Sequence, residues 1–520
     1  SAKYTGHGVV LRAGIGTPDE VSVHLDQIDQ GPNYRWGNSG EGNSGTLYLY
    51  AGGKVWSGHE SENTGDHTTE DTLGSSTYGV WKQGAYRSLG SNVLDRPLLD
   101  LGIAQLATVA ARSTPHPYSW PQYRARSVML VGTDYFLLMD DASGPGRFSW
   151  FNAKDLALPK LIFLEPRSSR PDHWFEVSTR MSHGILRDLP RETDTSLVLV
   201  THKHDDVALL NARAKTLAFP DTIPMNEFPG TRPETPGVYR VRAPRSRDLV
   251  FRASKRIEFA DDGVSFRGTA GVVRRHDRGE IELALLEGTE ISANGFGLIL
   301  PENGAAAVGA TMSDAKAIRG RFNAARTVAM KVRGVARGMK FYVDGRAGVM
   351  RDHGEFFELT LPPGAHAWEL TAGSPQPLAP TILGTSNFPG GAEILFDSVG
   401  SATDYVVEVS HDVGATWTES VRVAQPPAKI AGLPSRGKMH VRVRAENRAE
   451  QAEPSAAYPL YLSGATPPAP DGLRAWLERG AVTLTWGEVL GVQNYQLYRR
   501  KRGGADAWEL VYSGAERRFV

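Results

Sequence analysis

The sequence predicts an all-β protein: a large double-sheet sandwich followed by one smaller sandwich and the start of a second. Three observations predict it. Short runs of β-branched and aromatic residues recur along the whole chain, bordered by Gly, Pro, Asn and Asp, which is the pattern of strands joined by turns. One stretch alone, residues 93–112, places apolar residues at helical three and four spacing, and its Leu and Ala content fits a buried strand pair equally well. Two Pro- and Gly-rich interruptions, residues 361–381 (LPPGAHAWELTAGSPQPLAPT) and 461–471 (YLSGATPPAPD), read as linkers.

Residues 126–141 (RSVMLVGTDYFLLMDD) give the plainest element, two apolar runs around Gly132-Thr133-Asp134, which is a hairpin signal. Further strand runs fall at residues 196–201, 238–241, 249–252, 280–286, 297–300, 327–332 and 340–343. The two linkers divide the chain into residues 1–373, 374–464 and 465–520. The first block is longer than one seven-strand sandwich holds, so it should be a large double-sheet sandwich or two fused ones.

The chain has 520 residues, 58 Lys+Arg against 58 Asp+Glu, and no Cys. Balanced charge argues against a nucleic-acid partner, because phosphate binding needs a concentrated basic surface. The lack of Cys excludes disulfides, thiolate nucleophiles and Cys-ligated zinc. No run approaches 18 consecutive apolar residues, so no membrane-spanning helix is expected. The chain opens at Ser1-Ala2-Lys3-Tyr4 without a signal-peptide pattern, which predicts that such a peptide is removed or belongs to an upstream part. The expected location is secreted or cell-surface, the periplasm included.

The middle block resembles a fibronectin type III module. The matching residues are Ile394-Leu395-Phe396-Asp397, the alternating run Tyr405-Val406-Val407-Glu408-Val409-Ser410, and the late strand His440-Val441-Arg442-Val443-Arg444-Ala445-Glu446-Asn447. The last block repeats the start of the pattern with Val482-Thr483-Leu484-Thr485-Trp486 and Tyr495-Gln496-Leu497-Tyr498-Arg499-Arg500, and its Trp would fill the core between sheets. Such a module needs about 100 residues, so the expectation is a piece of a longer protein, cut at both ends. The resemblance implies spacer modules.

Residues 21–78 concentrate His24, Asp26, Asp29, His59, Glu60, Glu62, Asp66, His67, Glu70 and Asp71 among Gly, Ser, Asn and aromatic residues. Clustered His and carboxylates can bind a divalent metal or act as acid and base, and a solvated polar loop explains the same composition. His24 and Asp26 lie two apart, so on a strand they share a face. His59 and His67 flank Asn63-Thr64-Gly65, a turn that can bring them together.

These residues also carry a second resemblance. Gly8-Val9-Val10-Leu11-Arg12-Ala13-Gly14, then Val23-His24-Leu25-Asp26-Gln27, then Asn43-Ser44-Gly45-Thr46-Leu47-Tyr48-Leu49-Tyr50-Ala51-Gly52-Gly53-Lys54 are similar in order to heparinase II/III-like polysaccharide lyases. The strand pair at residues 127–131 and 134–140, and the closing run at 361–370, extend the likeness over residues 1–373. The resemblance implies the carboxyl-terminal β-sandwich of such a lyase, packed against an upstream α/α toroid that this chain lacks, with an acidic polysaccharide between them. It implies β-elimination: a base takes the proton beside the uronate carboxylate and an acid protonates the leaving oxygen. It further implies a His from the sandwich and, in several members, a zinc site. On this basis His24 and Tyr34 are the catalytic candidates. His24, Asp26, His59, Asp66 and His67 are candidate ligands for a divalent metal, zinc or calcium, and Tyr34, Arg35 and Trp36 are candidate substrate contacts.

This sequence departs from the family pattern at Ser22, where a first His is expected, and near Ser57, where an Asp is expected. Residues 27–42 form an insertion that can stack Tyr34 and Trp36 on a sugar or pack as a loop. Thr201-His202-Lys203-His204-Asp205-Asp206 imitates a metallo-hydrolase string but lacks its terminal His, and reads as loop histidines. Arg274-Arg275-His276-Asp277-Arg278 and residues 242–252 are locally basic and can either meet an anionic glycan or line an exposed strand face. The rival readings are a non-catalytic cell-surface or matrix protein and, with less to select it, a hydrolase using paired carboxylates such as Asp140 and Asp141.

Overall fold

The computed structural model describes residues 2–4, 8–15, 17–26, 47–56, 78–82, 85–87, 92–93, 96–111, 123–142, 147–153, 159–165, 173–175, 181–188, 195–203, 206–210, 237–302, 305–314, 317–388, 391–434, 437–448, 450–462, 470, 472–478, 481–487, 495–500 and 509–520. Among them every regular element is a strand, so the chain is all-β. It divides into two compact units, Ser1–Gly373 and Ser374–Val520.

The first unit is layered around a seven-stranded antiparallel sheet. Its centre is the hairpin of Tyr123–Val131 and Tyr135–Ala142, whose register closes at Val131 opposite Tyr135. Side chains alternate across a strand, and here both faces are covered. Val128, Leu130, Phe136, Leu138, Val198 and Val200 pack against the amino-terminal sheet. Met129, Val131, Tyr135, Leu137, Leu197 and Leu199 pack on the other side, against the start of a fourteen-stranded sheet. Burial of both faces is why these strands read as unbroken apolar runs.

The same physics removes the helix suggested at residues 93–112. Ala104–Ala111 is a strand, paired with Tyr123–Val131 on one side and with Leu99–Asp100 and Asn92–Val93 on the other. Leu106 faces one core and Ala107 and Val109 the other, so apolar residues at every step imitate helical spacing.

Three long strands, Ser246–Asp261, Val264–His276 and Ile281–Ala293, run from this layered region into a second core. Their ladders shift register at Arg252/Ile257 and repeatedly between Arg267 and Gly271. Such bulges bend strands. Alternation across the strands puts Val250, Val272 and Ala284 in the first core, whereas Phe251, Phe266 and Ile291 join Met330, Phe341, Leu359 and Trp368 in the second. Phe251 stacks on Phe266 with ring centres 4.1 Å apart, and each fully buried Phe contributes about 1.5–3 kcal/mol.

In the second unit, Ile382–Phe388, Gly391–Phe396 and Ala428–Ala431 form one sheet. Thr418–Val423, Asp404–Ser410, Lys438–Glu446 and Tyr458–Tyr461 form the other. Phe396, Tyr405, Val407, Ile430 and Val441 fill the space between them. Three strands facing four in this order make a fibronectin type III-like sandwich. Downstream, Arg474–Glu478, Ala481–Thr485 and Arg518–Phe519 form a sheet, Tyr495–Arg499 and Glu509–Gly514 a two-stranded ribbon, and Trp486 and Tyr495 are the buried aromatic pair.

Candidate functional site

The amino-terminal sheet comprises Ala2–Tyr4, Gly8–Ala13, Val21–Asp26, Leu47–Ala51 and Lys54–Val55. Its last hairpin turns on Gly52 and Gly53, with φ of 55° and 75°, the backbone that a two-residue turn of this hand requires. Val9, Leu11, Val21, Val23, Leu25, Leu47, Leu49 and Ala51 point into the core. The alternate residues therefore build the outward face. Val10 pairs with His24 and His24 with Tyr48, while Arg12 pairs with Ser22 and Ser22 with Tyr50. Two cross-strand rows result, with neighbours about 5 Å apart along each.

The sheet is fixed in place from below and at one end. The Gln105 side-chain carbonyl accepts from the Arg12 amide at 3.1 Å, and its amide donates to the Arg12 carbonyl at 2.6 Å. The Arg12 guanidinium is held by Glu20. Trp56 donates to the Ala51 carbonyl at 2.8 Å and lies 5.8 Å from the His202 ring.

His24 is half-buried on the outward face, its ring centre 5.8 Å from that of Tyr48. Burial lowers its pKa, so the neutral imidazole, the form that accepts a proton or binds a metal, prevails at pH 7. Tyr50 is 42% exposed. Arg12, Tyr48 and Tyr50 were not singled out as site residues by sequence reasoning, although the alternation in Leu47-Tyr48-Leu49-Tyr50 is the signal that points both phenols outward. For Asp26 the structure describes the backbone, at the end of the Val21–Asp26 strand, and not the side chain. Tyr34, Arg35, Trp36, His59, Asp66 and His67 lie outside the described residues. Among the described residues no group of three or more His, Asp or Glu could hold a metal; His24 is the one proposed ligand whose side chain is described.

Several other residues in the stretches singled out from the sequence have structural roles. Thr201 donates to the Asp134 carbonyl at 2.7 Å and the Lys203 ammonium donates to the Asp134 carboxylate at 3.0 Å, so the described start of the metallo-hydrolase imitation, Thr201 to Lys203, is a strand end clamped to the hairpin, while His204 and Asp205 lie outside the described residues. Arg274 is not an exposed basic residue: it bridges Asp248, Asp134 and Ser246 inside the first unit. Burial works against its charge, yet Asp248, Tyr135 and Asp134 raise its pKa. Tyr135 donates to Asp248 at 2.7 Å. Its phenol is pushed well above the usual range by burial and by Asp248, the opposite of what a phenolate base needs. Asp140 is clamped bidentately by Arg126 at 2.6 and 3.0 Å, with side-chain exposures of 0% and 1%, and presents no carboxylate to a substrate.

No family model and no curated protein matches the chain. Among solved structures, a heparinase III is similar at 13% identity and a TM-score of 0.30 over 47% of this chain and 40% of that one. A three-domain fibronectin segment of chicken CNTN1 is similar at 11% identity and a TM-score of 0.16, over 46% and 82%. A glycoside hydrolase domain of Streptococcus pneumoniae R6 is similar at 10% identity and a TM-score of 0.14, over 43% and 38%. The chain thus spans two fifths of the heparinase III chain. Scores at this level do not separate one β-sandwich from another, and the fold assignment stands on the strand order and cores given above. No helix among the described residues is long and apolar enough to cross a membrane.

Proposed function

We propose that this chain is the β-sandwich portion of a secreted polysaccharide lyase and that the outward face of its amino-terminal sheet is the floor of a trough for a uronic-acid chain. The other wall would be an upstream toroid. The reading is supported by the ordered residues from Gly8 to Lys54 that resemble heparinase II/III-like lyases. The single observation that carries it is the position of His24, out of the aliphatic core and beside Tyr48. In β-elimination the proton beside the uronate carboxylate leaves to a base, its electron pair forms the new double bond, and the leaving oxygen takes a proton from an acid. The half-buried neutral imidazole is a candidate for the base. Tyr48 and Tyr50 offer ring faces to a pyranose. If the His24 lone pair instead holds a divalent metal, with Asp26, His59, Asp66 or His67, that metal would supply charge against the carboxylate and the base would be another group.

The test uses the natural polypeptide with any upstream toroid. Mixed with a panel of acidic glycans, it is expected to give the ultraviolet absorbance of an unsaturated uronate, and His24→Ala to abolish it. Absence of product from every acidic glycan overturns the lyase reading, and retained binding would then favour the scaffold class. Glycan titration of this chain addresses the face itself. Tyr50→Ala is expected to weaken binding about fivefold, the value of one stacking contact of about 1 kcal/mol, while Tyr50→Phe leaves it unchanged. Elemental analysis of wild type and His24→Ala addresses the metal, with metal in the former and a loss in the latter expected.

A further inference from the structure

The Gly364–Thr371 strand carries a histidine whose two ring nitrogens both face acceptors. His366 Nδ1 lies 2.6 Å from Asp344 Oδ2, and Nε2 lies 3.0 Å from the carbonyl oxygen of Pro363. A neutral imidazole has one N–H and one lone pair. Either tautomer would set a lone pair against one of these oxygens, whereas the imidazolium donates to both. Asp344 is itself fixed: its amide donates to the Ala367 carbonyl at 3.0 Å, its Oδ1 accepts from the Ala367 amide at 2.9 Å, and its φ is 48°. Asp344 therefore cannot swing away to relieve a mismatch. From the Ala317–Ala324 strand the ring meets neutral Phe322, with centres 5.3 Å apart. Among the described residues Asp344 is the one charged group paired with it.

We propose that His366 is a proton-dependent latch: as imidazolium it fastens the turn preceding Gly364 to the turn that follows the Lys340–Val343 strand, and as imidazole it releases the former. Asp344 is the more strongly bound partner, so the proton lost on titration is the one on Nε2. Loss of that donor leaves the Pro363 carbonyl facing a lone pair, and the Pro362-Pro363-Gly364 turn loses its side-chain tie. Burial alone would lower the pKa of the ring, but the Asp344 hydrogen bond and the Pro363 carbonyl raise it on balance. Because the folded value lies above the unfolded one, the latch is fully closed below about pH 6.5 and opens as pH rises through the folded value.

The experiment labels the whole chain with ¹⁵N-histidine and uses His366→Gln to identify the His366 ring signals by their disappearance. Two ring N–H signals are expected for wild type at pH 6.5, with a titration midpoint above that of an ordinary histidine. Asp344→Asn is expected to bring the midpoint down toward the ordinary value. The amide protection factor of Gly364, corrected for intrinsic exchange, should fall severalfold across the wild-type midpoint. A ring with a single N–H at pH 6.5, or a Gly364 protection factor that ignores the ring's titration, would overturn the latch.

Discussion

Asp412 occupies the tight turn between the Asp404–Ser410 and Thr418–Val423 strands. Its carboxylate accepts from the Thr416 hydroxyl at 2.6 Å, the Thr416 amide at 2.8 Å and the Ser410 hydroxyl at 2.7 Å. Those donors hold its pKa down at about 2. A depressed folded value means the turn is fully supported above the ordinary carboxylate range and loses that support as pH falls toward 2. The amide protection factors of Gly414 and Thr416, corrected for intrinsic exchange, should therefore fall between about pH 4 and pH 2, and Asp412→Asn should remove that fall. A buried pair behaves differently. Asp140→Ala removes the bidentate carboxylate from the buried Arg126 and should cost about 3–5 kcal/mol in denaturant unfolding, whereas Arg126→Met with Asp140→Leu should recover most of the loss. Asp140 also marks where the sequence stops being legible. Its place in a hairpin follows from the residues around Gly132, but a carboxylate beside a carboxylate also leaves a paired-carboxylate hydrolase open, with nothing in the sequence to select or exclude it. Only the register that sets Arg126 opposite Asp140 decides for structure.

Strand alternation was legible wherever one face is wet, as at Val328–Arg333, and the outward placement of His24 follows from the same rule. It failed where both faces are dry, because Ala104–Ala111 has no polar face to set a period. Close approach between strands was not legible either, since it depends on partners distant in sequence. At Gly320, in the Ala317–Ala324 strand, an added Cβ would stand 1.9 Å from the Gly309 carbonyl oxygen and 2.7 Å from the Trp368 indole nitrogen. That carbonyl is the acceptor of the Trp368 N–H at 2.9 Å. Gly320→Ala should thus separate two strands and break a buried hydrogen bond, costing about 3 kcal/mol or more. Gly384, also in a strand, has nothing within 4 Å of the same added atom. Gly384→Ala should change stability by less than about 0.5 kcal/mol, so thermal unfolding of the two variants separates packing from backbone entropy.

Across the whole molecule, buried apolar surface is unevenly distributed, and local stability should follow it. Between Ile382 and Leu462, fifteen hydrophobic side chains form one buried core, Phe396, Tyr405, Val407, Val441 and Leu460 among them. In the strands from Arg474 onward Trp486 and Tyr495 are the only buried apolar side chains among the described residues, with Leu484, Leu497, Tyr512 and Phe519 partly covered. Leu477 and Val482 stand opposite each other in the ladder and remain 73% and 53% exposed. The Trp486 indole N–H is buried without an acceptor among the described residues, a cost of about 1–3 kcal/mol that a complete polar match would avoid. Apolar burial is the main favourable term in folding, at roughly 25 cal/mol per Å², and regions with little of it open first. Residues 472–520 should therefore lose amide protection and take protease cuts well before residues 382–462. Trp486→Ala should accelerate both in that segment and leave the melting of the Ser1–Gly373 unit unchanged. Equal protection of the two segments would show that something beyond these strands covers Leu477 and Val482.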